Sequence, residues 1–456
     1  MNQTTSTINS SIFKSYDIRG VYPSDLNEEL AYRIAQAYVK YVKPEGKIAV
    51  GMDVRTCSPA LKKAVVAGLT DAGIDVVDIG LVSTDMYYFT VGKYKLAGGI
   101  MVTASHNPAE YGGLKMVREE AKPLFGEQGI NQIRDMILAN EDRTEAATKG
   151  IIEEKDVLSD FTEFVLNFVD KTKIKPMKVV INPNFGYQGV IFKHIVETGS
   201  LPIEIIGLND EPDGTFPKGR PDPFIPENRP EFVAKVKESG ADFGIAWDAD
   251  GDRVFFCTDK GNFVESYYAN ALFIGYMLDK SPGSKIVYDI RYVWALIDAA
   301  KERGSEAIEC RVGHSYIKQK MRAEDAIFCG ESSGHTYFRD FWYADCGMIP
   351  ALMMAALLGE KGASLDSLMQ PLFAKYPMSG EFNTTVENPQ GKMDEIKAKY
   401  SDAKISTLDG VTIEYDDWRA NIRPSNTEPL LRLNVEAKSQ ELMEEKRDEL
   451  LAMIRA

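Results

Sequence analysis

The sequence has few cysteines, and their number and spacing exclude a disulfide framework. Only five occur among 456 residues. An odd number cannot form a complete set of pairs, and no CxxC motif is present to suggest a redox or zinc site. We therefore expect a protein of a reducing compartment, the cytoplasm.

Positive charge and long apolar runs are also scarce. Lys and Arg number 53 against 68 Asp and Glu, which gives a formal net charge of -15, and such a surface disfavours a nucleic-acid backbone. The most apolar stretch, 348–358, is about half of the roughly 20 residues that a membrane-spanning helix needs. The first twelve residues lack the basic leader and apolar core of a secretion signal. We expect no nucleic acid or membrane partner, and a buried core helix at 348–358.

The chain contains an internal repeat. Its length predicts three or four domains, and three short β-rich segments look alike: KIAV at 47–50, KVVI at 178–181 and KIVY at 285–288. Each follows turn residues and leads into a helical pattern. We interpret them as the first strands of three related α/β units.

Each unit continues into a buried strand that ends in a polar loop. The strands are 98–102, 243–247 and 326–329, and the loops that follow are TASHNP (103–108), DADGDR (248–253) and GESSGH (330–335). Apolar strands that alternate with amphipathic helices predict largely parallel sheets, whose ligands bind beyond the carboxyl ends of the strands. One polar loop would be ordinary in an α/β protein, but three at matching positions indicate a function.

After about residue 370 the pattern changes to closely spaced strands and a final helix from Ser439, which indicates an α+β domain. It carries its own loop, RPSNTEP at 423–429. We predict α/β domains at 1–150, 151–256 and 257–372 and an α+β domain at 373–456.

The loop DADGDR has the composition of a cation site. Asp248, Asp250 and Asp252 alternate with small residues, so that their carboxylates can turn together toward a hard ion such as Mg²⁺. An EF-hand is excluded because Arg253 stands at the sixth position, where that loop needs glycine. Two alternatives stay open, a solvated acidic turn and a phosphatase with Asp248 as the phosphoryl nucleophile.

The loop TASHNP places Ser105 beside His106. This serine is either a helix cap or a carrier of a covalently bound group. Acyl-hydrolase chemistry is disfavoured because the Gly-x-Ser-x-Gly elbow is missing.

The other two loops suit a phosphorylated sugar. RPSNTEP offers a guanidinium, hydroxyls and an amide to a phosphate without the glycines of a Walker loop, although a turn between two prolines also fits. GESSGH offers Glu331, Ser333 and His335 to sugar hydroxyls, although a plain Gly/Ser turn would look similar. Of the four histidines, three lie in or near these loops: His106, His314 and His335.

Five motifs taken in order resemble the α-D-phosphohexomutase family, and bacterial phosphomannomutases within it. They are FKSYDIRG (13–20), TASHNP, DADGDR, GESSGH and RPSNTEP. The resemblance implies three α/β/α domains with mixed, largely parallel sheets and a C-terminal α+β domain around a central cleft. It also implies interconversion of hexose 6-phosphate and hexose 1-phosphate, with mannose as the first expected hexose and glucose as the second. The reaction would pass through a phosphoserine and a hexose 1,6-bisphosphate.

The resemblance also implies a role for individual residues. The catalytic group comprises Ser105, Lys115, His314, Arg19 and Arg253. The substrate-binding group comprises Tyr16, His106, Arg291, Glu331, Ser333, His335, Arg423, Ser425, Asn426 and Thr427. The ligands of Mg²⁺ would be Ser105, Asp248, Asp250 and Asp252. A hexose 1,6-bisphosphate would act as activator, small sugar phosphates as partners, and the protein would be a monomer or homodimer.

Departures from the family pattern concern the choice of hexose. Ser332 stands where relatives place methionine or glutamate, and Arg291 stands where many place lysine, so that a planar fork replaces a point charge. Asn426 and Thr103 disfavour the glucosamine branch. The alternatives kept are a phosphoglucomutase, a phosphoglucosamine mutase, the aspartyl phosphatase and a noncatalytic sugar-phosphate binding protein.

Overall fold

The computed structural model of the chain describes residues 8–424 and 430–456. These residues divide into two compact units, and each is described by itself. The first unit contains Met1–Phe263 and Asp340–Gly362, and the second contains Val264–Arg339 and Ala363–Ala456. The four domain boundaries expected from the sequence stay predictions.

The first repeat forms a six-stranded sheet. Its elements are β1 (Ile18–Val21), α1 (Glu28–Val42), β2 (Ile48–Met52), α2 (Ser58–Asp71), β3 (Val76–Leu81), α3 (Thr84–Lys93), β4 (Gly98–Val102), β5 (Tyr111–Arg118), α4 (Ile130–Leu138) and β6 (Ile152–Glu154). The strand order is β1-β5-β4-β2-β3-β6. Helix α1 begins after Asn27, whose side chain accepts a hydrogen bond from the Leu30 amide, and ends at Lys43 in the left-handed conformation.

The second repeat forms a five-stranded sheet in the same unit. Its elements are α5 (Leu158–Leu166), β7 (Met177–Asn182), α6 (Gln188–Thr198), β8 (Ile203–Gly207), α7 (Pro230–Ser239), β9 (Phe243–Trp247), β10 (Val254–Thr258) and β11 (Phe263–Val264). The strand order is β11-β10-β9-β7-β8. Strand β9 is buried along its whole length, which explains why its sequence is apolar throughout instead of alternating.

The third repeat belongs mainly to the second unit. Its elements are α8 (Ser266–Lys280), β12 (Ile286–Asp289), α9 (Trp294–Lys301), β13 (Ala307–Cys310), α10 (His314–Glu324), β14 (Phe328–Gly330), β15 (Thr336–Phe338), β16 (Ala344–Asp345), α11 (Met348–Lys361) and α12 (Leu365–Lys375). Strand β14 begins two residues later than predicted. The reason is that the Ala326 amide bonds to the Met321 carbonyl and closes the end of α10.

The three sheets share one arrangement, as the sequence repeat predicts. In the first, β2 pairs in parallel with β3 and β4, and β5 returns antiparallel to β4. Strands β7, β8, β9 and β10 repeat this pattern, and so do β12, β13, β14 and β15. The loops singled out in the sequence therefore follow equivalent strands, and the predicted mixed, largely parallel sheets are confirmed.

The C-terminal segment forms an antiparallel sheet with two helices, as predicted. Its elements are β17 (Phe382–Thr385), α13 (Pro389–Lys399), β18 (Lys404–Ser406), β19 (Val411–Glu414), β20 (Trp418–Pro424), β21 (Leu430–Ala437) and α14 (Gln440–Arg455). The strand order is β17-β21-β20-β19-β18. Buried residues of α14, among them Met443 and Leu450, pack against this sheet.

Helix α11 is the buried helix expected from its apolar sequence, since every residue from Met348 to Leu358 is buried. Across the described residues, no single helix has both the length and the apolar composition to cross a membrane. The helices α11 and α12 reach that length and composition only as a pair, which is bent by 98°. All five cysteines are buried and free.

Candidate active site

Ser105 lies in the loop between β4 and β5, almost completely buried. Its backbone has a φ of 50°, a left-handed conformation that is unfavourable for a residue with a side chain. The Thr103 hydroxyl accepts a hydrogen bond of 2.8 Å from the Ser105 amide. The Ser105 hydroxyl lies 3.2 Å from Asp248 Oδ2 and 3.1 Å from His106 Nδ1. The helix-cap interpretation is therefore wrong, because the hydroxyl contacts a carboxylate and an imidazole.

The imidazole of His106 is a neutral neighbour of this hydroxyl. Burial lowers the pKa of His106 well below its ordinary value of 6.5, and the positive charges of Arg253, Arg19 and Arg220 lower it further. A neutral imidazole has one nitrogen that can accept a proton. The Ser105 hydroxyl therefore has two acceptors within reach, one carboxylate and one uncharged ring.

Three aspartates meet beside Ser105, in the loop between β9 and β10. Asp248, Asp250 and Asp252 are buried, and each brings a carboxylate oxygen within 4.8 Å of the other two. Burial raises the pKa of Asp248 well above 3.8, and the charges of Asp252 and Asp250 add to that rise. Gly251 makes the turn with a φ of 75°. A Cβ at this position would lie 2.0 Å from Nε2 of the Gln188 side chain.

The carboxylate of Asp250 indicates that this cluster suits a cation. Its Oδ2 accepts hydrogen bonds from Thr84 Oγ1 at 2.7 Å and Thr103 Oγ1 at 3.2 Å, and it pairs with Lys115 Nζ at 2.7 Å. Its Oδ1 is buried and takes no hydrogen bond from any described residue. A buried carboxylate oxygen without a donor is costly unless an ion compensates it. Oxygen ligands of this kind are the ones that Mg²⁺ prefers.

Lys115 supplies the positive charge of the cluster. It lies on β5, is buried, and pairs with both Asp250 and Asp252. Burial by itself would lower the pKa of Lys115, but the charges of the two aspartates outweigh burial and raise it. Lys115 is therefore a cation at neutral pH.

Two arginines complete the cluster of the first unit. Arg19, at the start of the sheet, holds Asp17 through Nε and Nη2 at 2.9 and 2.7 Å and donates from Nη1 to Asn107 Oδ1 at 2.8 Å. The Arg253 amide bonds to Asp248 Oδ1 at 3.3 Å, and its guanidinium lies 3.8 Å from Asp248 Oδ2. The structure therefore gathers Ser105, His106, the three aspartates, Lys115, Arg19 and Arg253 within the first unit. Tyr16 lies half-buried just before β1, close in sequence to Arg19.

The second unit contains a separate cluster around Glu331, at the end of β14. Its Oε1 accepts from Arg291 at 3.1 Å, and its Oε2 accepts from the Tyr337 hydroxyl at 2.8 Å. His335 Nδ1 lies 3.2 Å from the same Oε2 and 2.9 Å from Ser333 Oγ. Burial would raise the pKa of Glu331, but its bond to His335 and the charges of His335 and Arg291 lower it strongly. Glu331 is therefore a fixed carboxylate.

His314 and Arg291 join this second cluster. His314 begins α10, and its ring centre lies 6.4 Å from that of His335. Arg291 is buried and pairs with both Asp289 and Glu331. Burial would lower the pKa of Arg291, but the charges of Asp289 and Glu331 raise it. Arg291 is therefore already engaged by two carboxylates.

The expected phosphate-binding loop is described only at its first residues. Ser425, Asn426 and Thr427 lie outside the described residues. Arg423 belongs to β20 instead of a loop, and its Nη2 bonds to Glu381 Oε2 at 2.6 Å. Arg432, its partner in the register of β20 and β21, lies 3.6 Å from Glu381 Oε1. Two guanidiniums thus share one carboxylate.

Sequence reasoning missed several residues that hold these groups. Thr84, Asp289, Tyr337 and Glu381 contact expected site residues. Gln188 bonds to the Gly251 carbonyl in the loop of the three aspartates. Three of these five residues had a signal in the sequence. Thr84 and Asp289 lie at or just beyond the ends of parallel strands, where ligands of α/β proteins gather. Tyr337 lies on β15 and follows His335, the residue just before that strand, by two positions, a spacing that places both side chains on one face.

Comparisons with known proteins agree along the whole chain. Models of four consecutive domains of the phosphoglucomutase/phosphomannomutase family match it. They are alpha/beta/alpha domain I at residues 10–144, domain II at 159–261, domain III at 265–376 and the C-terminal domain at 381–453.

Full-length relatives and a solved structure are similar to the chain. An Escherichia coli phosphomannomutase is 43% identical over 451 residues, which cover 97% of this chain and 99% of the relative. A protein of Xanthomonas campestris named for phosphohexose mutases is 43% identical over 446 residues, with 97% and 99% covered. The crystal structure of a phosphoglucomutase/phosphomannomutase family protein of Burkholderia thailandensis superimposes with a TM-score of 0.89 at 31% identity, and 98% of each chain is covered.

Proposed function

The chain belongs to the phosphoglucomutase/phosphomannomutase family and is a phosphohexomutase, and we propose that it interconverts mannose 6-phosphate and mannose 1-phosphate through a phosphoserine at Ser105. The observation that supports this proposal is the contact of the Ser105 hydroxyl with Asp248 and His106. A serine ester suits the reaction, because it exchanges one phosphate ester for another of similar free energy.

The proposed reaction has two transfers. The free hydroxyl of a hexose monophosphate attacks the phosphorus of phosphorylated Ser105, and the bond from phosphorus to Ser105 Oγ breaks. A hexose 1,6-bisphosphate results, and Ser105 Oγ takes up the proton that the sugar hydroxyl loses. In the second transfer Ser105 Oγ attacks the phosphorus of the other phosphoryl group, the bond from that phosphorus to the sugar oxygen breaks, the sugar oxygen takes up the proton that Ser105 loses, and the isomeric monophosphate leaves. A free bisphosphate would restore an enzyme that has lost its phosphoryl group, which makes it the expected activator.

The first unit supplies the groups that this chemistry needs. Phosphoryl transfer depends on positioning and on positive charge around the equatorial oxygens. Lys115, Arg19 and Arg253 carry that charge, and neutral His106 can accept the Ser105 proton or return it. Asp248, Asp250 and Asp252 would hold Mg²⁺ together with Ser105. When bound, this ion supplies further positive charge to the phosphoryl oxygens.

The second unit supplies the groups that would recognise the sugar phosphate. We assign the hydroxyl contacts to Glu331, Ser333 and His335, whose acceptors and donors are held in fixed directions by Arg291 and Tyr337. We assign the phosphate that does not react to Arg423 and to the loop after it. His314 is proposed as a proton-transfer group beside His335.

Mannose is the proposed hexose because relatives that cover the whole chain at about 40% identity bear the name phosphomannomutase. The test is a coupled assay that compares mannose, glucose and glucosamine 1-phosphates, primed with a trace of glucose 1,6-bisphosphate. Turnover should be fastest with mannose 1-phosphate, slower with glucose 1-phosphate and weakest with glucosamine 1-phosphate. A preference for glucose or glucosamine would contradict the proposed specificity and leave the mutase assignment intact.

A second experiment, which traps the phosphorylated enzyme, separates the serine mechanism from an aspartyl phosphatase. An aspartyl phosphate at Asp248 is an acyl phosphate that hydroxylamine cleaves, whereas a serine ester survives it. We expect the labelled phosphoenzyme to resist hydroxylamine.

The five buried cysteines, none of which forms a disulfide, fit the cytoplasm as the compartment of this enzyme. That the protein is a monomer or a homodimer stays a prediction.

A further inference from the structure

A buried arginine outside every motif discussed so far holds the Ser105 loop. Arg55 follows β2 and is 1% exposed. Its Nη2 donates to the carbonyls of Ser105 and Asn107, both at 2.6 Å, and its Nη1 donates to those of Pro108 and Tyr111 at 2.6 and 3.1 Å. Four carbonyls of one loop thus converge on one guanidinium.

The orientation of Arg55 is itself fixed. Its Nε donates to Asp53 Oδ2 at 3.1 Å, while Asp53 Oδ1 accepts from the Arg55 amide and from the Ser58 hydroxyl. A guanidinium has five N–H donors in a rigid plane. The guanidinium of Arg55 donates to five acceptors, which are Asp53 Oδ2 on its own turn and the four carbonyls between Ser105 and Tyr111. The ring of Phe216 packs 5.0 Å from the guanidinium carbon.

These contacts act on the strained position of Ser105. The Ser105 amide is held by Thr103 and its carbonyl by Arg55. Both peptide groups that flank Ser105 are therefore restrained, and together they define its left-handed backbone. A residue in this conformation persists only where its surroundings determine it. Relaxation to the ordinary conformation would turn the hydroxyl away from Asp248.

The same turn occurs at the equivalent place in the other two repeats. Asp53, Asn182 and Asp289 lie at the ends of the first parallel strands, and each accepts a hydrogen bond from the amide two residues later. That later residue then reaches the third strand or the loop that follows it. Arg55 bonds to the Ser105 loop, Asn184 bonds to the Trp247 carbonyl at 2.7 Å next to Asp248, and Arg291 bonds to Glu331. Three repeats thus use one device to fix three functional loops.

We propose that Arg55 is a positioning residue for phosphoryl transfer, which sets the backbone of Ser105 so that its hydroxyl faces Asp248. The proposal rests on the proposed role of Ser105. Arg55 acts through the loop carbonyls and leaves substrate binding to other groups. Its loss should therefore slow the chemical step and leave the affinity for the sugar phosphate unchanged.

The test compares Arg55→Lys with a matched control, Arg33→Lys. Arg33 lies on α1 and, like Arg55, pairs with a carboxylate, that of Asp142, and donates to a backbone carbonyl, that of Ile137. Its contacts lie at the end of α4 and leave the Ser105 loop untouched. Lysine keeps the charge at either position but cannot span four carbonyls.

Four quantities are measured on each full-length protein. They are kcat and KM with glucose 1-phosphate, the rate at which glucose 1,6-bisphosphate phosphorylates Ser105 in a quenched single turnover, and the melting temperature. For Arg55→Lys we expect kcat and the phosphorylation rate to fall about 100-fold, the usual effect of a small misplacement of a reacting group, with KM within about threefold of wild type. Arg33→Lys should retain wild-type values of kcat and KM.

Two results overturn the proposal: kcat of Arg55→Lys within about threefold of wild type, or a loss that appears only in KM. If Arg55→Lys does not fold, the proposal is tested with Asp53→Asn. This substitution weakens the interaction of residue 53 with the Arg55 guanidinium and keeps the turn that residue 53 forms with the Arg55 amide. A roughly tenfold lower kcat at unchanged KM supports the proposal, and an unchanged kcat overturns it. Wild-type protein without mutase activity would instead refute the proposed function, so that the two failures are distinguishable.

Discussion

The hydroxyl of Ser105 lies 3.2 Å from Oδ2 of Asp248, although the two residues are 143 positions apart in the chain. Each stands in the loop after the third parallel strand of its own repeat. The fold thus brings a nucleophilic oxygen next to a cluster of three carboxylates. A phosphoryl group on that oxygen would add negative charge to an acidic site, and the positive charge of Lys115 and of a divalent cation, when one is bound, would offset it.

Removal of Lys115 should make the protein depend on Mg²⁺ for stability. In Lys115→Met the buried carboxylates of Asp250 and Asp252 lose their counter-charge, at a cost of about 3 to 5 kcal/mol. Mg²⁺ would then compensate more charge than it does in wild type and bind more tightly. We expect a lower melting temperature without Mg²⁺ and a larger increase on its addition than wild type shows. We also expect mutase activity to fall.

The control for this experiment is Lys122→Met, which breaks surface pairs with Glu119 and Glu120. Such a pair contributes about 0 to 1 kcal/mol to stability. The melting temperature of Lys122→Met and the increase that Mg²⁺ produces should therefore match those of wild type. An equal or smaller response to Mg²⁺ in Lys115→Met would contradict the placement of the cation among the aspartates.

Asp85 should make the stability of the protein depend on pH. This carboxyl is fully buried in the first turn of α3, with bonds from Cys346 Sγ at 3.3 Å and the Met86 amide at 2.9 Å. Burial raises the pKa of Asp85 from 3.8 to about 6. The folded protein therefore binds this proton more tightly than the unfolded chain does. Stability is lost as the pH rises from about 4 to about 6, up to about 3 kcal/mol.

Asp85→Asn removes this contribution, because an amide does not ionise. Near pH 4 the variant should melt close to wild type. By pH 7 it should melt at a higher temperature than wild type, and the gap should open mainly below pH 6. Glu238→Gln, at an exposed position of α7, serves as the control. A gap that stays constant from pH 4 to pH 7 would show that Asp85 does not bind its proton more tightly in the folded protein.

Glu381 should compete with the phosphate of the substrate. Its carboxylate occupies Arg423 Nη2 at 2.6 Å and faces Arg432. In Glu381→Gln the guanidiniums keep their positions and lose a neutralising charge. We expect inorganic phosphate to inhibit the variant with an inhibition constant about fivefold lower than that of wild type, equivalent to about 1 kcal/mol.

Glu395→Gln, which changes an exposed carboxylate of α13 that pairs with Lys392, should leave phosphate inhibition unchanged. Weaker inhibition of Glu381→Gln by phosphate would mean that Glu381 orients Arg423 for its ligand and does not compete with it.

The repeat and its three functional loops were predictable, because they depend on local patterns. Strands β4 and β9 have the bounds expected from their apolar runs, and the aspartates of DADGDR alternate in a way that suggests a cation site. The kind of fold and the residues of the two clusters followed from these patterns and from the resemblance to a family.

The contacts between distant segments were not predictable from the sequence. Arg55, Thr84 and Gln188 stand in ordinary sequence contexts, and only the tertiary structure shows that each forms a hydrogen bond to a loop of the candidate site. The environment of Lys115 was not predictable either, since the aspartates that raise its pKa lie more than 130 positions away in the chain. Sequence patterns identify groups able to react, whereas their positioning arises from packing.

The identity of the phosphorylated side chain is the most direct test of the mechanism. The protein is incubated with glucose 1,6-bisphosphate, digested and analysed by mass spectrometry, with Ser105→Ala treated in parallel. We expect one phosphoryl group, on Ser105, in wild type, and neither label nor mutase activity in Ser105→Ala. A phosphoryl group on any other residue, or full mutase activity in Ser105→Ala, would contradict the account.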